Sequence, residues 1–92
     1  MLFHVTINVH VPKDLPAEEF DKIKLAEKAR AEELQRQGKW LHLWRVAGQY
    51  ASISVLDVAD NDELHALLSS LPLFPYMTLD VKALAKHPSS LK

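Results

Sequence analysis

Residues 40–56 read WLHLWRVAGQYASISVL. Two runs alternate between apolar and polar side chains, Trp40 to Val46 and Tyr50 to Leu56, and Ala47-Gly48-Gln49 lies between them. Alternation with a period of two is the mark of a half-buried strand, and a short Gly-containing break between two such runs predicts a hairpin. What flanks the hairpin decides which fold it belongs to.

On its N-terminal side, Pro16 suits the first turn of a helix and Gly38 suits the residue after a helix end, so a helix of about five to six turns is expected between them. Ahead of that helix, Leu2 to Val11 alternates, with Phe3, Val5, Ile7, Val9 and Val11 on one face and His4, Thr6, Asn8 and His10 on the other. On the C-terminal side, Asp60 followed by Glu63 is an acidic variant of the capping box, and Leu64, Leu67, Leu68 and Leu71 form a helical stripe that Pro72 and Pro75 stop. Tyr76 to Leu84 alternates again, and residues 85–92 read as a C-terminal tail without strong propensity. The order β-α-β-β-α-β predicts one α+β domain over residues 1–92. It is ferredoxin-like, a four-stranded antiparallel sheet with two helices on one face.

Parity then assigns faces. If the odd residues of the first strand meet the helices, the matching residues elsewhere are Leu41, Leu43 and Arg45, then Ala51, Ile53 and Val55, then Met77, Leu79 and Val81. The other face is left with His4, Trp40, His42, Trp44, Tyr50, Ser52, Ser54, Tyr76 and Thr78 among others. Such a face is too rich in Trp and Tyr to stand as a large open patch, so a second subunit is expected to cover it.

Composition removes several function classes. The chain has 92 residues, no cysteine and a formal net charge of -1. A disulfide framework, thiolate chemistry and sulfur-ligated zinc are therefore excluded. Lys and Arg are dispersed among Asp and Glu, unlike the basic stripe of a nucleic-acid binder, so no nucleic-acid partner is expected. The N-terminus MLFHVTINVHV lacks a basic leader region and a long apolar run, which predicts neither secretion nor membrane insertion and makes a cytoplasmic location the default.

Among individual residues, Glu27 is the anomaly. Phe20, Ile23, Ala31 and Leu34 fall on one side of the first helix, and Glu27 sits at the centre of that stripe. Two readings stand side by side. Glu27 pairs with Lys24 or Arg30, one turn away on either side. Otherwise it faces a pocket between helix and sheet, where desolvation raises its pKa and makes it a proton acceptor near neutrality. Arg45 is the one cation expected on the helix-facing side of the sheet; its guanidinium needs Glu27 or an anionic ligand, unless it reaches solvent at the strand end. His4 and His10 lie about 20 Å apart along one strand, which predicts no metal site, and no Gly-x-Ser-x-Gly elbow accompanies the serines.

Several strings, taken together, carry a family likeness. MLFHV at the start, AEK around Glu27, LQRQGKWLHLWRVAGQYASISVLDV through the hairpin, and LPLFPYM followed by HPSS near the end resemble the muconolactone isomerases of the catechol branch of the β-ketoadipate pathway. The likeness spans essentially the whole chain. It implies a ferredoxin-like, cofactor-free enzyme, in the dimeric α/β-barrel type of assembly and in large homo-oligomers, typically decamers, with sites at or near subunit contacts. The reaction it implies moves a double bond in (S)-muconolactone to give the 3-oxoadipate enol-lactone. Glu27 matches the family's catalytic glutamate. Arg45 is then expected to hold the substrate carboxylate, and Tyr50, Tyr76 and His4 are candidates for the lactone oxygen. Many members have His where this chain has Gln49. Rival readings are a chloromuconolactone dehalogenase, a monooxygenase of the same fold and a non-catalytic small-ligand binding protein.

Overall fold

The computed structural model describes all of residues 1–92. The elements are β1 (Leu2–Val9), α1 (Ala17–Arg36), β2 (Trp40–Arg45), β3 (Ala51–Asp57), α2 (Asn61–Ser69), a short 3-10 turn (Phe74–Tyr76) and β4 (Met77–Leu84). The sheet runs in the order β2-β3-β1-β4 with every neighbouring pair antiparallel. This is the expected ferredoxin-like α+β arrangement.

Local signals set the element ends. Pro16 caps α1 with φ -56°, as its ring dictates, and α1 gives way beyond Gln37 to Gly38, whose φ of +77° an L side chain rarely adopts. At the start of α2 the Asp60 carboxylate accepts the Glu63 amide proton at 2.8 Å, satisfying one of the helix's orphan donors. Both helices lie on one side of the sheet. Phe3, Val5 and Ile7 of β1 pack there with Ala31 and Leu34 of α1 and with Leu64, Leu67 and Leu68 of α2.

Two strands depart from simple parity. In β3 the register pairs Phe3 with Leu56, Val5 with Ser54 and Ile7 with Ser52, so the even residues face the helices. Ile53 and Val55, expected on that side, stand with His4 and Thr6 on the other. Alternation fixes a strand's period but not its phase, and β3 is apolar enough on both faces for pairing with β1 to decide it. In β2 the ladder shifts between Trp40 and His42, leaving Leu41 out of the pairing. A bulge of this kind changes the phase of a strand. Trp40, expected on the open face, is therefore opposite Leu56 and only 3% exposed, while Leu43 and Arg45 keep the expected side.

The face away from the helices stays apolar in part. Trp44 is 58% exposed and stacks on His42 with ring centroids 5.0 Å apart. Beyond Leu84, residues 85–92 belong to no helix or strand. No helix is long and apolar enough to cross a membrane.

Candidate active site

A cavity of about 370 Å³ opens between α1 and the strand ends of β2 and β3. Its helical wall is Lys24, Glu27, Lys28 and Ala31, which at spacings of three and four share one face of α1. The sheet supplies Ile7 and Val9 from β1, Trp40, Leu43, Trp44 and Arg45 from β2, and Tyr50, Ala51 and Ser52 around the start of β3, with Leu73 and Met77 completing it. The walls are mostly apolar.

Glu27 is half-buried in this wall. Its Oε1 accepts the Leu73 backbone N–H at 2.9 Å. Burial pushes its pKa above the ordinary carboxylate value, and the Leu73 hydrogen bond works against that rise. Neither cation one turn away pairs with it: Lys24 Nζ lies 3.1 Å from Asp21, and Arg30 reaches Glu33 at 3.6 Å. Of the two readings that the sequence leaves open, the structure carries the pocket-facing one. A partly desolvated carboxylate with no cation paired to it is a stronger base than one at the surface.

Arg45 is more exposed than a core cation. Its Nη1 donates to the Gln49 carbonyl oxygen at 3.4 Å, and its guanidinium carbon lies 5.3 Å from the Tyr50 ring centroid. No carboxylate pairs with it, which leaves the charge available to an anion in the cavity. Gln49 contributes its backbone carbonyl to this arrangement, so the residue type at position 49 does not alter that bond.

The structure thus brings Glu27, Arg45 and Tyr50 to one cavity. Parity had set Tyr50 and Arg45 on opposite faces; the phase of β3 reunites them, since Tyr50 is two residues from Ser52, the partner of Arg45. Two other candidates lie elsewhere. His4 pairs with Val55 and Lys82 and points to the face away from the helices, where its Nδ1 is buried without a partner. Tyr76 packs edge-on against Phe20, with centroids 6.0 Å apart, and does not line the cavity.

Lys24, named from the sequence only as an ion-pair partner for Glu27, and Lys28, not singled out there, both line the cavity. Their spacing carried the signal, because Lys24 lies three residues before Glu27 and Lys28 lies four after Lys24 and three before Ala31, the spacings at which helix residues share a face. The Leu73 amide carried none: it is a backbone donor 46 residues away from its acceptor. The assembled site is a mostly apolar cavity with one strengthened base in its wall and three cations around it. It suits a small anion from which a carbon-bound proton is to be removed.

The comparisons agree in one direction. A family model described as muconolactone delta-isomerase matches residues 1–90. The muconolactone delta-isomerase of Acinetobacter baylyi is 53% identical over 92 residues, covering 100% of this chain and 96% of the relative. That of Cupriavidus pinatubonensis is 55% identical, with 100% of both chains covered. A crystal structure of muconolactone isomerase superposes with a TM-score of 0.94 at 49% identity, covering 100% of this chain and 96% of the other.

Proposed function

This chain belongs to the muconolactone delta-isomerase family, and we propose that Glu27 is the proton carrier in its isomerisation of (S)-muconolactone to the 3-oxoadipate enol-lactone. The observation that carries this is a half-buried carboxylate in the cavity wall, raised in pKa and paired with no cation.

The chemistry needs little more. Muconolactone is an unsaturated lactone whose ring carbon bears a carboxymethyl arm. Removing the proton from that carbon gives a dienolate, in effect an aromatic 2-oxyfuran anion, and returning a proton alpha to the lactone carbonyl completes the shift. The two carbons are two bonds apart on one flat ring. A single base above one face can therefore serve both steps. Arg45 holds the carboxylate of the arm and so retains the substrate in the cavity. Tyr50 offers its hydroxyl to the lactone oxygen as negative charge develops there.

A proton NMR time course of purified muconolactone with the enzyme in deuterated buffer tests the reading. The expected result is the enol-lactone, with any solvent deuterium confined to the position alpha to the lactone carbonyl and its amount reporting how far the proton carried by Glu27 exchanges before it is returned. Exchange at that position without a new double bond, or no reaction at all, would overturn it.

The assembly proposed is a homo-oligomer, a decamer as the family likeness implies, acting in the cytoplasm. The partly apolar open face of the sheet, with Trp44 and Leu41 exposed at 58% and 44%, supports burial against further copies. Sedimentation equilibrium is expected to return ten chains per particle, and a monomer at micromolar concentration would remove the proposal.

A further inference from the structure

Glu27 has two carboxyl oxygens, and the structure engages one of them. Oε1 accepts the Leu73 amide proton at 2.9 Å, and no other hydrogen bond or ion pair reaches the group. The donor is unusually well fixed. Leu73 stands between Leu71 and Phe74 in a segment where Leu71 and Leu73 are 2% and 6% exposed and Pro72 and Pro75 restrict the backbone. Two turn hydrogen bonds close around it: the Phe74 N–H donates to the Leu71 oxygen at 2.9 Å, and the Tyr76 N–H to the Leu73 oxygen at 2.9 Å. A helix side chain is thus held by a rigid amide from a distant part of the chain.

Resting on the reading of Glu27 as the base, we infer that the Leu73 amide is a positioning group that makes the two oxygens inequivalent, reserving Oε1 as an acceptor and leaving Oε2 to carry the proton. The bond survives both halves of the reaction. When the ring C–H breaks and an O–H forms at Oε2, Oε1 becomes the carbonyl oxygen of a carboxylic acid and still accepts from Leu73. When the O–H breaks and the new C–H forms, the carboxylate returns with the same contact. The carboxyl group therefore need not rotate between taking the proton and giving it back. The amide also favours the ionised form, keeping the base charged at a lower pH than burial alone would allow.

The test has two arms. Pro72-Leu73 is the only Pro-Leu step in the chain, so labelling with carbonyl-13C proline and 15N leucine gives one correlation, from the Leu73 amide of the native protein. That resonance is expected to titrate with the same midpoint as the acidic limb of kcat/KM; a pH-independent resonance overturns the inference. In the second arm, chemical synthesis replaces the Leu73 amide by an ester, which deletes the N–H and keeps the side chain. The acidic limb is then expected to move to higher pH and kcat to fall about 10- to 100-fold. An ester protein with an unmoved limb and normal kcat overturns the inference. If Glu27→Gln is inactive beside such an ester protein, the positioning role alone is lost; if Glu27→Gln turns over normally, the base itself has been misassigned.

Discussion

Glu27→Gln is expected to lower kcat/KM by about 10³- to 10⁴-fold while the protein keeps its fold. Glutamine has nearly the same shape, and its side-chain oxygen can still accept the Leu73 N–H, so the wall of the cavity stays in place. What disappears is the proton acceptor for the first step and the donor for the second. Following the ultraviolet change of the lactone measures the effect, with circular dichroism as the check on folding; a rate within tenfold of the parent would sink the role. The same substitution has a stability signature. Burial raises the folded-state pKa of Glu27, so the folded state favours the protonated form. That contribution is fully present below the ordinary value of 4.5 and is lost as pH rises through the folded pKa. Glutamine cannot ionise, and the variant should gain stability relative to the parent as pH goes from 4 to 8.

Arg45→Ala is expected to raise KM about 10- to 100-fold with kcat within a few-fold of the parent. The substrate carboxylate lies away from the reacting carbons and keeps its charge throughout. Its contact with Arg45 therefore contributes equally to ground and transition states, which is the pattern that moves KM. Arg45→Lys should recover part of the loss, since a lysine supplies the charge without the two-pronged geometry. Steady-state kinetics on the two variants decides it. An unchanged KM for Arg45→Ala would assign the carboxylate to another cation of the cavity, with Lys28 the first to examine because no acidic residue pairs with it.

Much of this molecule is legible in its sequence, and the exceptions have physical causes. Alternation, Pro16, Gly38 and the Asp60 cap are local signals, and the elements they predict are present. Glu27 stood out because a helical wheel is a local construction too. The faces of β2 and β3 were not legible in the same way. Ser52 and Ser54 look polar and Ile53 and Val55 apolar, yet Ser54 is fully buried and the two larger residues stand on the opposite face. Residue type marks burial only where one face of a strand is wet, and pairing with β1 set the phase instead. His4 and Tyr76 were advanced on chemistry alone, with no positional argument to bring them to Glu27. The Leu73 amide could not be foreseen, since every residue but proline has one.

The unpaired Leu41 places Trp40 in the core and Arg45 at the cavity on the same strand, although the two are five positions apart and a regular strand would send them to opposite sides. The strand therefore carries two frames, one read by the core and one by the ligand, joined at a single residue. What stands at position 41 matters little to either frame within one chain, because the Leu41 side chain is 44% exposed. Changes of length do matter. Losing or gaining one residue between Trp40 and Leu43 would bring either the tryptophan or the arginine out of frame, so the number of residues at this joint is held more tightly than their kind.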